Sequence, residues 1–180
     1  PHLNISVPKR GDKLKLLELS TRNAKSYRLE KLKRNTSKKT TGPNERVLKS
    51  VQSDFRLKVL PRHIECFDNS NMQGSEPVAA CVVFKNGKPL KKEYRHYNIK
   101  EVEGIDDFAS MKEVVFRRYS RLLKEKQPLP QLIVVDGGKG QLSAALSSLD
   151  QLELRGKIAI IGIAKKLEEI YFPGDPVPLF

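Results

Sequence analysis

The chain is poor in the residues that mark secreted, membrane-spanning or thiolate-metal proteins. It has only two cysteines, Cys66 and Cys81, which lie in separate apolar runs without metal-site spacing. We expect both to be small buried hydrophobic residues of a cytoplasmic protein. No apolar stretch approaches the length that spans a bilayer, and no signal-peptide pattern occurs at the N-terminus. A membrane is therefore not expected as a partner.

Acidic residues are scarce in the first third of the chain. Residues 1–62 hold 17 Lys and Arg against five Asp and Glu, whereas residues 63–180 hold 17 against 16. The net charge of +13 is thus concentrated in one segment, which favours a polyanionic partner such as nucleic acid. A basic solubilising arm is the alternative. The segment lacks interleaved aromatic residues, so base stacking is not expected.

Hydrophobic periodicity predicts two regions. Residues 1–62 form a basic, mainly helical N-terminal segment, and residues 63–180 form a core domain. Within the first region we expect a short edge strand, then two helices, at Leu3 to Val7, Asp12 to about Lys33, and Asn44 to about Lys58. The length of 180 residues is sufficient for one core with a small appendage.

From residue 63 onward the predicted order is β-β-β-α-β-α-β. The five strands of this order are His63 to Asp68, Val78 to Phe84, Pro89 to Ile99, Leu132 to Val135 and Lys157 to Ile163, and Glu169 to Phe172 is expected to add one more. Asn86-Gly87 is a two-residue hairpin signal, and Asp106 or Asp107 is expected to cap the long helix. This order predicts an α/β mixed sheet, a three-strand antiparallel meander plus parallel strands, with helices on both faces.

The most informative stretch is LPQLIVVDGGKGQL, from Leu129 to Leu142. A buried strand ends there at Asp136, and a glycine turn leads into a helix. Carboxylates in this position lie where α/β sheets keep their chemistry, and the helix amides together with Lys139 are suited to a phosphate. The alternative is that Asp136 only closes a turn. The glycine run lacks the spacing of a Walker P-loop.

A second carboxylate ends the first predicted strand. Strand alternation places Asp68 on the same face as Ile64 and Cys66, and Glu65 on the other. If the strand ending at Asp136 lies parallel beside the first one, Asp68 and Asp136 meet at neighbouring strand ends. Two such carboxylates repel each other unless cations bridge them, and oxygen ligands suit Mg²⁺ or Mn²⁺. Two ions at such a site support phosphodiester cleavage.

Several long motifs carry a family resemblance. They are IECFDNSNMQG, KEYRHYNIK, DDFASMKEVVFRRY, LIVVDGGKGQL and IGIAKKLEEIYFPG, together with PKRGDK and LLELSTRNA in the first region. Over essentially its whole length the chain resembles the C-terminal half of the UvrC family, which belongs to the UvrABC excinuclease. The resemblance implies an RNase H-like endonuclease domain that makes the 5′ incision at damaged double-stranded DNA during nucleotide excision repair, in concert with a UvrB–DNA complex.

The resemblance also implies a catalytic set of two Asp and one His with a divalent metal. Asp68 and Asp136 match the two aspartates. The family's catalytic His belongs to a later RDEAHRF-type helix, which this chain lacks, and His2, His63 and His96 are not in that context. We therefore expect weak or no incision by this chain. A catalytically silent RNase H-like module that docks DNA or a protein is the alternative.

Other polar residues are candidates for contacts with DNA or phosphate. These are Lys139, Gln141, Lys165 and Lys166. The alternatives are a solvated turn lysine for the first, a helix-surface amide for the second and a charged strand exit for the last two. Polar residues after Asp68 either orient metal or water or form a plain turn, namely Asn69, Ser70, Asn71 and Gln73. The arginines of the long helix are expected on a solvated face, namely Arg117, Arg118 and Arg121.

Overall fold

The observed secondary structure follows the predicted order of strands and helices. The computed structural model describes residues 8, 10–38, 42–70, 78–100, 106–165, 169–175 and 177–179. The helices are α1 (Asp12–Lys38), α2 (Pro43–Asp54), α3 (Asp107–Lys124) and α4 (Lys139–Gln151). The strands are β1 (His63–Ser70), β2 (Val78–Lys85), β3 (Lys88–Pro89), β4 (Arg95–Asn98), β5 (Leu132–Asp136), β6 (Ala159–Ala164) and β7 (Glu169–Tyr171). None of the described helices is long and apolar enough to cross a membrane.

Contacts divide the chain into two compact units, Pro1–Pro43 and Asn44–Phe180. Helix α1 makes up most of the described part of the first unit, and the strand predicted before it lies outside the described residues. Leu17 and Tyr27 of α1 are 41% and 66% exposed. The apolar residues of α1 do not line up along one side of the helix. The predicted domain boundary after residue 62 stays a prediction.

The described strands of the second unit form one mixed sheet, as predicted. Its order is β3-β2-β1-β5-β6-β7, and β4 also pairs with β2. Strand β1 is central, antiparallel to β2 and parallel to β5. Strands β5 and β6 are parallel, and β7 returns antiparallel to β6. The parallel pairing of β1 and β5 brings their carboxyl ends to the same edge of the sheet.

The third strand of the meander is interrupted. Asn86 and Gly87 form the predicted hairpin turn, both with positive φ, at 53° and 74°. Strand β3 then ends at Pro89, although the Leu90 amide still donates a 2.8 Å hydrogen bond to the carbonyl of Val83 on β2. A short 3₁₀ helix, Lys91–Glu93, follows before β4 resumes pairing with β2. The single strand predicted from Pro89 to Ile99 is therefore two short strands.

One face of the sheet packs against α3 and α4. The ring of Phe67 on β1 meets the ring of Tyr119 on α3 edge to face, with 6.0 Å between centroids. The Ser148 hydroxyl of α4 donates a 2.6 Å hydrogen bond to the carbonyl of Lys112 on α3. The Asp106 carboxylate caps α3 by accepting hydrogen bonds from the amides of Phe108 and Ala109, both 3.0 Å long. These contacts fix the helices on the Phe67 face, so the alternate residues of β1 occupy the opposite face.

Candidate active site

Two carboxylates occupy neighbouring strand ends. In the parallel pairing of β1 with β5, Phe67 lies opposite Val135. Asp68 and Asp136 are the next residues of the two strands. Because successive strand residues point to opposite faces, both carboxylates lie on the face away from α3 and α4. The sheet topology therefore brings together the two aspartates that the sequence singled out.

Lys165 lies between the two carboxylates. It directly follows β6, and its Nζ is 2.7 Å from Oδ2 of Asp136 and 3.7 Å from Oδ1 of Asp68. The two oxygens are therefore separated by at most the sum of these distances, about 6.4 Å. The side chains of Asp68, Asp136 and Lys165 are 48%, 21% and 70% exposed, so the group opens to solvent. The hydrogen bond to Asp136 and the charge of Asp68 raise the pKa of Lys165.

Cys66 lies close to the same charges. Burial raises the pKa of its thiol to about 11, and the negative charges of Asp136 and Asp68 add to the effect, while Lys165 opposes it. The thiol is therefore protonated at neutral pH and is a poor nucleophile. Cys66 is half-buried and Cys81 is buried, and both are free thiols. Their expected role as small apolar residues agrees with this placement.

The glycines after Asp136 allow close packing at the site. The Gly137 amide donates a 2.9 Å hydrogen bond to the carbonyl of Ile163 on β6. A side chain at Gly162 would place its Cβ 2.7 Å from the carbonyl oxygen of Gly137. A Cβ at Gly140 would overlap the ring of Phe108 on α3. The turn therefore lies against β6, and the first residues of α4 lie against α3, which holds Asp136 beside the residues that follow β6.

The four residues predicted to contact DNA or phosphate do not share one environment. The ammonium of Lys139 lies over the ring of Tyr171 on β7, 5.5 Å from its centroid. The side chain of Gln141 folds back over Gly137, where a Cβ would overlap its amide. Helix α4 begins after Gly138 with no side-chain cap. Lys165 contacts both aspartates, whereas Lys166 lies outside the described residues.

Asn69 connects β1 to the start of α3. Its Nδ2 donates a 2.9 Å hydrogen bond to the carbonyl of Asp107. Its Oδ1 is buried and has no hydrogen-bond partner in the part of the chain that the structure describes. The amide thus anchors the strand end that carries Asp68. Of the other polar residues named after Asp68, the side chain of Ser70 and the whole of Asn71 and Gln73 lie outside the described residues.

The two described histidines lie on β1 and β4, and His96 pairs with Ala80 of β2, which in turn pairs with Asp68. His63 begins β1 at the other end of the strand, and its Nε2 is 3.2 Å from Oε1 of Glu65. His96 is exposed on β4. Over the described ranges, no group of three or more His, Cys, Asp or Glu side chains is arranged to hold a metal ion. Any ion at Asp68 and Asp136 would therefore need further ligands from water or from substrate.

Sequence reasoning missed two neighbours of the site. The aromatic rings of Phe108 and Tyr171 pack against the glycine turn and against Lys139, respectively. No local sequence signal links either ring to the DGGKGQ motif, because both contacts arise from the packing of elements that are distant along the chain.

Comparison with known proteins identifies close relatives. Residues 52–180 match the family described as UvrC RNAse H endonuclease domain. UvrABC system protein C of Flavobacterium johnsoniae is 63% identical over 179 residues, which are 99% of this chain and 30% of that protein. The same protein of Porphyromonas gingivalis is 59% identical over 180 residues, which are 98% and 30%. The chain therefore spans about 30% of the length of these relatives.

Solved structures give weaker likenesses. Ciona intestinalis Endonuclease V, in complex with a 24mer DNA containing an inosine followed by a ribo-adenosine, is 23% identical, with a TM-score of 0.43 over 72% of this chain and 59% of that chain. Human ENDOV is 17% identical, with a TM-score of 0.45 over 67% and 59%. At this level of similarity nothing about function transfers from either structure. The family match and the sheet order of this chain confirm the expected RNase H-like fold.

Proposed function

The chain belongs to the UvrC RNase H endonuclease domain family, and on that premise we propose that it is the part of an excision-repair nuclease that hydrolyses a DNA phosphodiester bond. Within the parent protein this domain would make the incision 5′ to a lesion in double-stranded DNA presented by UvrB. Its cytoplasmic location stays a prediction.

The carboxylate pair carries the proposal. Asp68 and Asp136 both contact one ammonium group, so the space between them already accepts a positive charge. Carboxylate oxygens suit Mg²⁺ or Mn²⁺, and Mg²⁺ commonly takes only one or two protein carboxylates, with water and substrate phosphate as its other ligands. The donor set therefore fits such an ion. When bound, the ion would polarise the scissile phosphate and stabilise the leaving oxygen.

The surrounding residues have positioning roles in this proposal. The packing of Gly162 against Gly137 holds the strand end that carries Asp136, and Asn69 holds the one that carries Asp68. Cys66 remains a neutral thiol close to the carboxylates. The residues proposed to contact the DNA backbone near the site are Lys139, Gln141, Lys165 and Lys166. The positive charge of residues 1–62 would attract DNA without base specificity.

We expect this chain alone to nick DNA weakly or not at all. The proposed mechanism needs a group that transfers a proton, and the family's RDEAHRF-type histidine motif does not occur in the 180 residues. This same observation favours the second candidate, a silent RNase H-like module that docks DNA or a protein. The two candidates differ in whether nicking appears once the family's catalytic histidine is present.

The test uses the chain extended by the native sequence that follows it in the full-length protein. Nicking of lesion-containing duplex in Mg²⁺ or Mn²⁺ should appear and should be abolished by Asp68→Asn or Asp136→Asn. Asp54→Asn, at the exposed end of α2, is the matched control and should nick as the wild type does. Nicking that persists in both site variants would overturn the assignment of the pair. An extended chain that binds DNA but never nicks would establish the docking function instead.

A further inference from the structure

The exposed residue Lys165 makes contacts that its position alone does not require. A lysine that leaves a strand normally extends its ammonium into water, where it is strongly hydrated. Lys165 instead lies 2.7 Å from Asp136 and within 3.7 Å of Asp68, although its side chain is 70% exposed. The ammonium therefore occupies the space between two carboxylates on different strands.

The charges at this point explain the contact. Two carboxylate oxygens no more than about 6.4 Å apart repel each other, and both are partly shielded from water. One ammonium between them cancels most of that repulsion. The side chain of Lys165 is long, flexible and largely solvated, so its withdrawal would expose little new surface. The contact is thus favourable when no metal is bound, and the lysine can leave at a small cost in free energy when one binds.

We propose that Lys165 is an internal counter-ion that occupies the divalent-cation position and leaves when the metal binds. This inference rests on the proposed function, because it requires the metal to bind at Asp68 and Asp136. The ammonium and the metal compete for the same oxygens. The apparent metal affinity is therefore the intrinsic affinity multiplied by the fraction of molecules in which the lysine has left the site.

If Lys165 competes with the metal, its removal should raise the metal affinity, whereas removal of a residue that helps to bind the metal would lower it. Lys165→Met removes the competing cation and should raise the affinity for Mn²⁺ about threefold to tenfold, if the lysine occupies the site most of the time. Without metal, the same variant should melt at a lower temperature than the wild type, because the carboxylates repel each other. Added Mn²⁺ should therefore raise its melting temperature by more than it raises that of the wild type.

The experiment measures Mn²⁺ binding calorimetrically and melting with and without Mn²⁺, using the full 180-residue chain. Lys165→Arg keeps a cation of similar reach and should keep the affinity near that of the wild type. Lys157→Met removes an exposed lysine in the turn before β6 and controls for the loss of one positive charge. Circular dichroism confirms that each variant is folded.

The outcomes separate the two proposals. Tighter Mn²⁺ binding by Lys165→Met than by Lys157→Met supports the exchange. Equal or weaker binding by Lys165→Met, with binding still lost in Asp68→Asn, overturns the exchange and leaves the metal site standing. Binding that is unaffected by Asp68→Asn and Asp136→Asn, or absent from both the wild type and Lys165→Met, overturns the proposed metal site and the exchange with it.

Discussion

The guanidinium of Arg118 on α3 pairs with the carboxylate of Glu65 on β1, inside the core. Its Nε donates a 3.1 Å hydrogen bond to Oε2, and a second nitrogen donates to Oε1. The hydroxyl of Tyr119 donates a 3.0 Å hydrogen bond to the same carboxylate, and His63 contacts it as well. Glu65 lies on the same strand as Asp68 but points to the opposite face. The charged network therefore fixes α3 against the strand whose other face carries the candidate site.

Removing one partner of this network should be strongly destabilising. Glu65→Ala leaves the buried guanidinium of Arg118 without its anion, which typically costs about 3–5 kcal/mol. We expect urea denaturation to show a loss of this size. Glu125→Ala breaks the exposed pair with Arg121 and should cost less than about 1 kcal/mol. The double variant Glu65→Met/Arg118→Met should be less destabilised than the sum of the losses in Glu65→Met and Arg118→Met. A loss equal to that sum would show that the pair is not coupled.

The same carboxylate predicts a specific acid dependence of stability. Burial alone raises the pKa of Glu65, but the hydrogen bonds from His63 and Arg118 outweigh it and hold the pKa at about 2. Because the folded-state pKa lies below the usual value of 4.5, the contribution of Glu65 is complete above that value. It is lost as the pH falls from about 4.5 towards 2. The difference in unfolding free energy between wild type and Glu65→Gln should shrink over that range, and a constant difference would contradict the pairing.

The alternation of strand residues predicted the placement of Glu65, whereas the periodicity of the helix did not predict the placement of Arg118. Parity correctly placed Glu65 away from Asp68, because successive residues of a strand must point to opposite faces. The helix pattern wrongly placed Arg118 on a solvated face. Its sequence neighbours include charged residues, and only the tertiary packing of α3 on β1 supplies the anion that makes its burial possible. The sequence of one helix therefore could not reveal that partner.

In the candidate site, too, strand order was predictable from the sequence and contacts that depend on tertiary packing were not. The order of strands predicted that Asp68 and Asp136 meet, since parallel neighbours end at the same edge of a sheet. The contact of Lys165 with both aspartates was not predicted, because it depends on where β6 ends relative to its neighbours. The break of the third strand after Pro89 was not predicted either, since β-propensity alone does not register the 3₁₀ turn, Lys91–Glu93, that separates β3 from β4.

Close backbone packing around the glycine turn should make Gly162 intolerant of substitution. In Gly162→Ala the new Cβ would lie 2.7 Å from the carbonyl oxygen of Gly137, and a backbone atom cannot move aside as a flexible side chain can. We expect a loss of about 1–3 kcal/mol in denaturant unfolding, as for other overpacked sites. The strand end that carries Asp136 should move with the turn, so Mn²⁺ binding should weaken as well.

Gly138 provides the matched control for that substitution. It has φ of −79°, and no neighbour lies within 4 Å of the position that a Cβ would take, so Gly138→Ala meets neither a clash nor backbone strain. Its stability should change by less than about 1 kcal/mol, the size of a modest N-cap effect. Equal losses in Gly138→Ala and Gly162→Ala would show that conformational freedom, and not close packing, explains the glycine-rich turn.

The positive charge of the first region should make DNA binding steeply dependent on salt. Each cation that binds a phosphate releases counterions, so several such cations should weaken binding about tenfold or more between 50 and 200 mM salt. Replacing the exposed α1 residues Lys13, Lys25 and Arg28 with alanine should reduce the slope of log affinity against log salt by about one for each phosphate that is no longer bound. Lys88→Ala, on exposed β3, is the control and should leave the slope unchanged. A slope that is the same in the α1 variant and the wild type would identify the segment as a solubilising arm and not as the region that binds DNA.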